Sequence, residues 1–175
     1  MTDGGELSFF LGIKVERDHE CRLITLDHSH YVQELLKRFN MQDCNHMSTP
    51  LDILCKLQSV SNEDETIDPT LFKKIIGGTM YLMLGTRPDL SAAVSIISQF
   101  SAKPSAMHQQ AAKRVLQYLK GTANLKLHLG AEPGELPNLI GYSDVSWRDD
   151  INMHRSTLGY IYYLETGPIS WCSKK

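Results

Sequence analysis

The chain of 175 residues is 42% hydrophobic and 22% charged, with a formal net charge of −2. This composition is typical of one globular domain or two small ones, and it excludes an intrinsically disordered or membrane-embedded chain. The slightly acidic balance gives no general signature of nucleic-acid binding, so any such site must be local.

The four cysteines, Cys21, Cys44, Cys55 and Cys172, are scattered without a CxxC pair. Such scattering predicts free thiols in a reducing compartment. A zinc site built from Cys44, His46 and Cys55 is disfavoured because the paired ligand spacing is lacking. No signal peptide or apolar run of membrane length is visible, so we expect an intracellular protein of the cytoplasm or nucleus, not a secreted one.

The chain begins with a predicted β-hairpin. Leu7–Val15 has the composition of a strand, and a charged turn leads to a second strand at Leu23–Leu26. Asp27 then stands at the N-cap position of a helix predicted over His28–Asn40. The apolar residues of this helix form one stripe that we interpret as core: Tyr31, Val32, Leu35, Leu36 and Phe39.

A long connector, Leu51–Pro69, is expected to be a solvated surface loop that attaches Leu54 and Leu57 to the body of the protein. The helix predicted next, Thr70–Leu84, carries the pair Gly77–Gly78. Each mid-helix glycine costs about 1 kcal/mol relative to alanine, so the pair indicates close approach of another helix, or a kink. The core side of this helix is expected to carry Leu71, Ile75, Ile76 and Leu82.

Two further helices are predicted. Pro88 begins the first, where its missing N–H does no harm, and Ser105 caps the second, which runs to Lys120 and is closed by Gly121 at the C′ position. The predicted buried residues are Leu90, Val94, Ile97 and Phe100 in the first helix and Ala111, Ala112, Val115, Leu116 and Leu119 in the second. Glu132–Asn138 then has the glycine, prolines and polarity of an interdomain hinge.

Residues 90–131 carry a net positive charge, since they contain lysines and an arginine but no acidic side chain. On the last predicted helix, Lys113, Gln117 and Lys120 share a face through i, i+4, i+7 spacing, and Arg114 flanks them. Such a row suits a phosphate backbone, which needs cations but no base-reading geometry. The alternative is an ordinary solvated polar face.

The last third of the chain is predicted to be an antiparallel meander with strands at 139–145, 158–164 and 169–173. Asp144 lies near the end of the first strand, and carboxylates avoid strands in apolar surroundings unless something pairs with them. It is therefore either a metal ligand or catalytic group, or the start of a turn. The middle strand is apolar on both faces. We expect the sheet to bury a face against the helices, to pair with another chain, or to be aggregation-prone.

These segments resemble the Pol polyprotein of copia-type LTR retrotransposons. YSDVSW, RSTLGYIYYL and ISWCSKK are similar to the opening of its ribonuclease H domain, and GELSFFLGIKVERD is similar to the segment after the reverse-transcriptase palm. DPTLFKKIIGGTMYLMLGTRPDLSAAVS and HQQAAKRVLQYLKGT are similar to the thumb and connection. The resemblance covers nearly the whole chain and leaves only the central connector unmatched.

Pattern and resemblance together predict an α+β fold: an N-terminal β-hairpin, a helical thumb-like bundle and a partial ribonuclease H-like three-stranded antiparallel sheet. Residues 1–130 would hold the primer-grip hairpin and the helical thumb and connection. Residues 131–138 would be a linker, and 139–175 a truncated ribonuclease H-like domain. In the hairpin, Phe10, Leu11 and Gly12 match the primer-grip region.

The resemblance assigns Asp144 to the first of the family's metal-binding carboxylates. Ribonuclease H chemistry needs two Mg²⁺ or Mn²⁺ ions about 4 Å apart, held by several carboxylates. Here Ser146 replaces a usual second aspartate, and Asp149, Asp150 and Glu165 are expected to lie in a loop or turn. The family's other carboxylates and its polymerase aspartates fall outside the matched segments. We therefore expect a vestigial, incomplete metal site at Asp144, no bound metal, and no catalysis by this chain alone.

The leading hypothesis is a fragment of a copia-like reverse transcriptase–ribonuclease H that binds nucleic acid. Its expected partner is the backbone of an RNA–DNA hybrid or DNA duplex, with the rest of the Pol polyprotein or a second copy as further partners, and no membrane. The alternatives are a domesticated, non-enzymatic binding or oligomerisation module, and a transposon remnant without function. No P-loop, GxSxG, HExxH or dinucleotide-binding turn suggests another chemistry.

Overall fold

The structure, a computed structural model, describes residues 5–52, 57–59, 66–130, 138–146 and 156–174. Within these ranges the chain has the predicted α+β fold, with helices and two antiparallel sheets. The strands are β1 (Phe9–Phe10), β2 (Ile13–Asp18), β3 (Leu23–Asp27), β4 (Leu127–Gly130), β5 (Leu139–Ser146), β6 (Thr157–Leu164) and β7 (Gly167–Lys174). The helices are α1 (Ser29–Arg38), α2 (Pro69–Gly85), α3 (Ser91–Ser98) and α4 (Ala106–Gly121), and a 3₁₀ turn at Pro88–Leu90 precedes α3.

The first sheet has the strand order β1-β2-β3-β4, and all neighbours are antiparallel. The predicted hairpin is present as β2 and β3. The prediction of one strand over Leu7–Val15 is wrong, because a tight turn at Leu11 and Gly12 divides it. Both turn residues have positive φ, 49° and 80°, as a two-residue type I′ hairpin turn requires. Strand β4 was not predicted, although Leu127 and Leu129 alternate with polar residues at the period of a strand.

Two helix caps differ from the prediction. Asp27 lies one residue before the N-cap of α1, and its carboxylate accepts the backbone N–H of Ser29 at 2.7 Å. Gly121 is the last residue of α4 and not a C′ residue, so that part of the prediction is wrong. The cap is Thr122, whose N–H donates to carbonyls of the last turn and whose hydroxyl donates to Tyr118 O at 2.8 Å. These bonds end the helix without a left-handed residue.

The hydrophobic core lies between the four helices. All core residues predicted for the last two helices are buried. In α2, Leu71 is exposed and Phe72 is fully buried, so the predicted core side was wrong at this end of the helix. Helix α2 runs unbroken through its glycine pair. A Cβ at Gly78 would overlap Leu35 Cδ1 of α1, whereas Gly77 faces open space, so the pair marks close approach of another helix.

Much of the long connector lies outside the described residues, including Leu54, but Leu57 packs against the core as expected. The predicted linker also lies outside them, except for Asn138. In the described parts of the chain, no helix is both long enough and apolar enough to cross a membrane.

The second sheet is the predicted meander, with the strand order β5-β6-β7. Among the described residues, this sheet contacts the rest of the molecule through β7 and the turn before it. Trp171 bonds to Met83 at the end of α2, Gly167 lies against the backbone of His128 in β4, and the Thr166 hydroxyl donates to Gly130 O at 3.2 Å. Strand β5 forms the outer edge and is exposed along its described side chains. One face of the sheet displays apolar side chains that are 41–60% exposed: Leu139, Val145, Leu158, Tyr162 and Leu164.

Candidate functional site

Asp144 lies on β5, two residues before the end of the strand, directly opposite Gly159 of β6. Its side chain is exposed. One carboxylate oxygen accepts the backbone N–H of Val145 at 2.9 Å. Asp144 is therefore held by its own backbone and is open to solvent, which leaves its second oxygen available to a ligand.

Glu165 does not supply a second carboxylate to Asp144. It occupies the turn after β6 with φ of 54°, and its side chain accepts the backbone N–H of Asn138 at 2.7 Å. Asn138 directly precedes β5, and the five strand steps from Leu139 to Asp144 span about 17 Å at about 3.4 Å per residue. Two catalytic ions about 4 Å apart need several carboxylates in one place.

Among the described residues, no group of three or more His, Cys, Asp and Glu side chains could hold a metal ion. Asp149 and Asp150 lie outside the described residues. Asp144 and Glu165, the carboxylates that the structure describes in the second sheet, are too far apart to form a two-ion centre.

The predicted cationic face of α4 is partly occupied by the chain itself. Lys113 is exposed, but Arg114, Gln117 and Lys120 are partly buried beneath the segment Cys44–Pro50, here called the strap. The contacts are Arg114 Nη2 to Thr49 Oγ1 (2.9 Å), Lys120 Nζ to Cys44 O (2.8 Å) and Met47 N to Gln117 O (3.3 Å).

The residues that match the primer grip form the turn between β1 and β2. Phe10 and Leu11 are 55% and 74% exposed. The hydroxyl of Tyr81, on α2, donates to the carbonyl of Leu11, and a Cβ at Gly12 would lie 3.2 Å from the same hydroxyl oxygen. The Tyr81 ring also packs against the ring of His28, with 5.0 Å between centroids. The turn is therefore fixed to α2 while its apolar side chains face solvent.

The three predicted sites remain separate features. No hydrogen bond or ion pair within the described ranges joins Asp144, the α4 cations and the β1–β2 turn to one another. Any ligand common to them would have to be an extended one.

Sequence reasoning missed a buried polar cluster around Arg87, whose side chain is 3% exposed. Its Nη2 and Nε bind the carboxylate of Asp89 at 2.7 and 3.0 Å, and it also donates to the carbonyl and hydroxyl oxygens of Thr122. The Tyr118 hydroxyl donates to Asp89 at 2.8 Å, and burial, followed by this hydrogen bond, raises the pKa of Tyr118. The cluster joins the α2–α3 connection to the end of α4; an arginine and an aspartate on either side of Pro88 were its only sequence signal.

Two buried histidines were also missed. His28 Nδ1 lies 2.7 Å from the Thr86 hydroxyl, while its buried Nε2 has no hydrogen-bond partner among the described residues. His108 Nδ1 accepts the backbone N–H of Ser105 at 2.9 Å, and its ring stacks on Phe100. Burial lowers the pKa of both imidazoles, so both are neutral at neutral pH.

Comparisons with known proteins find relatives that match nearly the whole chain. A retrovirus-related Pol polyprotein from transposon RE1 of Arabidopsis thaliana is 42% identical over 175 residues, which are 100% of this chain and 12% of the relative. The Pol polyprotein from transposon TNT 1-94 of Nicotiana tabacum is 35% identical over 99% of this chain and 13% of its own length. An uncharacterized mitochondrial protein of Arabidopsis thaliana is 36% identical over 100% of this chain and 70% of its own length.

No protein-family model and no solved structure matches the chain. The chain is thus homologous, over nearly its whole sequence, to a segment of retrovirus-related Pol polyproteins of transposons. It spans 12–13% of the length of the Pol polyproteins just named.

Proposed function

We propose that the chain is the part of a copia-type Pol polyprotein that runs from the primer-grip hairpin of the reverse transcriptase, through thumb and connection, into the start of the ribonuclease H domain. Its function is to bind the backbone of an RNA–DNA hybrid or DNA duplex. The order of the elements supports this: a hairpin, then helices, then a three-stranded meander that begins with the Asp144 strand.

The observation that carries the binding proposal is the charge of α4 and its surroundings. Residues 90–131 contain no acidic side chain, and Lys113 is exposed on α4 within that stretch. Arg114 and Lys120 are on the same helix and make no ion pair with a described carboxylate. A helix with cations and no anions suits phosphates, because each phosphate contact is a sequence-independent charge interaction.

The test is binding of a fluorescently labelled RNA–DNA hybrid, measured by anisotropy at several salt concentrations. If three or four phosphates are engaged, log K should fall with log salt by a slope of roughly −3. The double variant Lys113→Ala/Lys120→Ala should bind more weakly and with a shallower slope. The matched control is Lys73→Ala/Lys74→Ala, which removes the same charge from exposed positions on α2. Equal weakening by both pairs would overturn the assignment to α4.

One observation favours a second candidate, a non-enzymatic oligomerisation module. The outer sheet face carries Leu139, Val145 and Leu158 at 47–60% exposure, and exposed apolar patches of this kind mark interaction surfaces. Sedimentation of the chain over a range of concentrations separates the two candidates. A stable oligomer that does not bind the hybrid would favour the second.

A further inference from the structure

We propose that the strap competes with the nucleic-acid backbone for the cations of α4, so that the helix is partly covered until a duplex displaces the strap. This inference rests on the proposed function and concerns the regulation of the same site.

The first support is the way in which Arg114 is bonded. Its Nη2 donates to the hydroxyl of Thr49 at 2.9 Å, but its Nε is buried and has no hydrogen-bond partner among the described residues. These two nitrogens form one edge of the guanidinium, the edge that binds both oxygens of a carboxylate or phosphate. The strap thus provides one neutral acceptor, the Thr49 hydroxyl, to a pair of donors that could bind both oxygens of an anion.

Arg87 shows the filled arrangement in the same chain. Its Nε and Nη2 bind the two oxygens of Asp89 at 3.0 and 2.7 Å. Arg114 presents the same pair of donors, but only Nη2 is bonded, and its acceptor is a neutral hydroxyl. Because bonds between two charged groups are stronger than bonds from a charged group to a neutral one, a phosphate is the better partner for this edge.

The second support comes from Lys120, whose Nζ donates to the backbone carbonyl of Cys44 at 2.8 Å. This acceptor is also neutral. One protein segment therefore occupies two cations of the predicted row and leaves Lys113 exposed as the point where a duplex can first bind.

The third support is the way in which the strap is attached. Met41 and Leu51, just outside its two ends, pack against the hydrophobic core. Between them Asn45, His46 and Ser48 are exposed, and the central backbone bond from Met47 N to Gln117 O is long at 3.3 Å. The middle of the strap can therefore lift from α4 while both apolar ends stay in place.

A reversible covalent lock provides the direct test. A Cβ at Gly121 would lie 3.1 Å from the Cβ of His46, close enough for a disulfide after a small adjustment. The variant His46→Cys/Gly121→Cys, with Cys44→Ser to remove the neighbouring thiol, would join the strap to the end of α4. Hybrid binding is compared between the oxidised and reduced forms, and Cys44→Ser alone, treated in the same way, is the control.

The oxidised form should bind the hybrid about tenfold more weakly than the reduced form, and the magnitude of its salt slope should be smaller by about 2, because two cations are kept from phosphates. Reduction should restore both values. Equal affinities and slopes in the two forms would overturn the inference, since the strap would then have no need to move.

A second pair of variants tests the same point without a cross-link. Thr49→Val keeps the shape of the side chain but removes the hydroxyl from Arg114, and should tighten hybrid binding by up to about tenfold. Thr49→Ser keeps the hydroxyl and should bind like the wild type. If Thr49→Val binds no more tightly while Lys113→Ala/Lys120→Ala still weakens binding, the strap is structural and the proposed function stands. A wild-type chain that does not bind the hybrid at all would overturn both.

Discussion

Trp171 of β7 donates its indole N–H to the backbone carbonyl of Met83 across 2.8 Å, joining residues 88 positions apart in the chain. Met83 lies in the last turn of α2, whose final carbonyls have no partner within the helix. The Trp171 side chain therefore satisfies a helix end and attaches the second sheet to the helical part in one contact.

Replacing Trp171 by phenylalanine should lower the free energy of unfolding by about 1 kcal/mol, because the ring contact is largely kept and the hydrogen bond is lost. Trp171→Ala should cost about 2–3 kcal/mol, less than a fully buried tryptophan, because this side chain is partly exposed. Urea denaturation followed by circular dichroism measures both. Ile169→Ala, at an exposed position of the same strand, is the control and should stay within about 0.5 kcal/mol of the wild type.

Alanine substitutions at the two adjacent glycines of α2 should change the free energy of unfolding in opposite directions. Gly78→Ala should destabilise the protein by about 1–3 kcal/mol, because the added methyl group would overlap Leu35. Gly77→Ala should stabilise it by about 0.5–1 kcal/mol, because that position faces open space and alanine is the better helix former. Thermal or urea unfolding of the two variants checks the pair. The same sign for both would contradict the close approach of α1 and α2.

Removal of the buried Arg87 should be among the more damaging single changes. Arg87→Met leaves Asp89 with Tyr118 as its hydrogen-bonding partner and removes two bonds to Thr122, so we expect a loss of about 3–5 kcal/mol in the free energy of unfolding. Arg38→Met, at an exposed position on α1, is the matched control and should change stability by less than about 0.5 kcal/mol. A small effect of Arg87→Met would show that the cluster does not hold the α2–α3 connection to α4.

Stability should depend on pH through the two buried histidines. Burial lowers the pKa of His28 and His108 in the folded protein, while in the unfolded chain both return to an ordinary pKa near 6.5. The unfolded state therefore takes up protons first as the pH falls. Stability is fully present above about pH 6.5 and decreases below it, by at most about 1.4 kcal/mol per pH unit for each histidine.

Urea unfolding at pH 7.5 and pH 5.5 measures this dependence. The variant His108→Gln removes one titrating group and retains an acceptor for the backbone N–H of Ser105, as in a capping box with glutamine. Its stability should depend less steeply on pH than that of the wild type, with the remaining dependence due to His28. The carboxylates Asp18 and Asp27, whose pKa values are lowered, titrate below this pH range. An unchanged dependence in the variant would exclude His108 as a source.

The features that sequence patterns predicted well are those set within one element. The apolar stripes of α1, α3 and α4 follow the 3.6-residue period, and every residue in them is buried or partly buried, as expected. The three strands of the second sheet were predicted from their apolar and aromatic composition and from the resemblance, with ends within two residues of those observed.

The features that were missed depend on residues far apart in the chain. The bond from Trp171 to Met83, and that from Arg87 to Thr122, connect elements whose relative placement no local period encodes. The strap is a further case: helical spacing identified the cationic row on α4 but gave no sign that Thr49 and Cys44 would reach it. The β1–β2 turn was not predicted because leucine rarely adopts the positive φ found at Leu11, and only Gly12 is a typical turn residue.

The outer edge of β5 should affect how the protein behaves at high concentration. Strand β5 is eight residues long and contains neither proline nor lysine. It presents a row of backbone donors and acceptors beside an exposed apolar face. Such an edge is a template on which strands from neighbouring molecules can assemble, and the likelihood of that encounter rises with concentration. Dilute preparation, or the variant Val145→Lys, which places a charge on the apolar edge, should keep the chains apart.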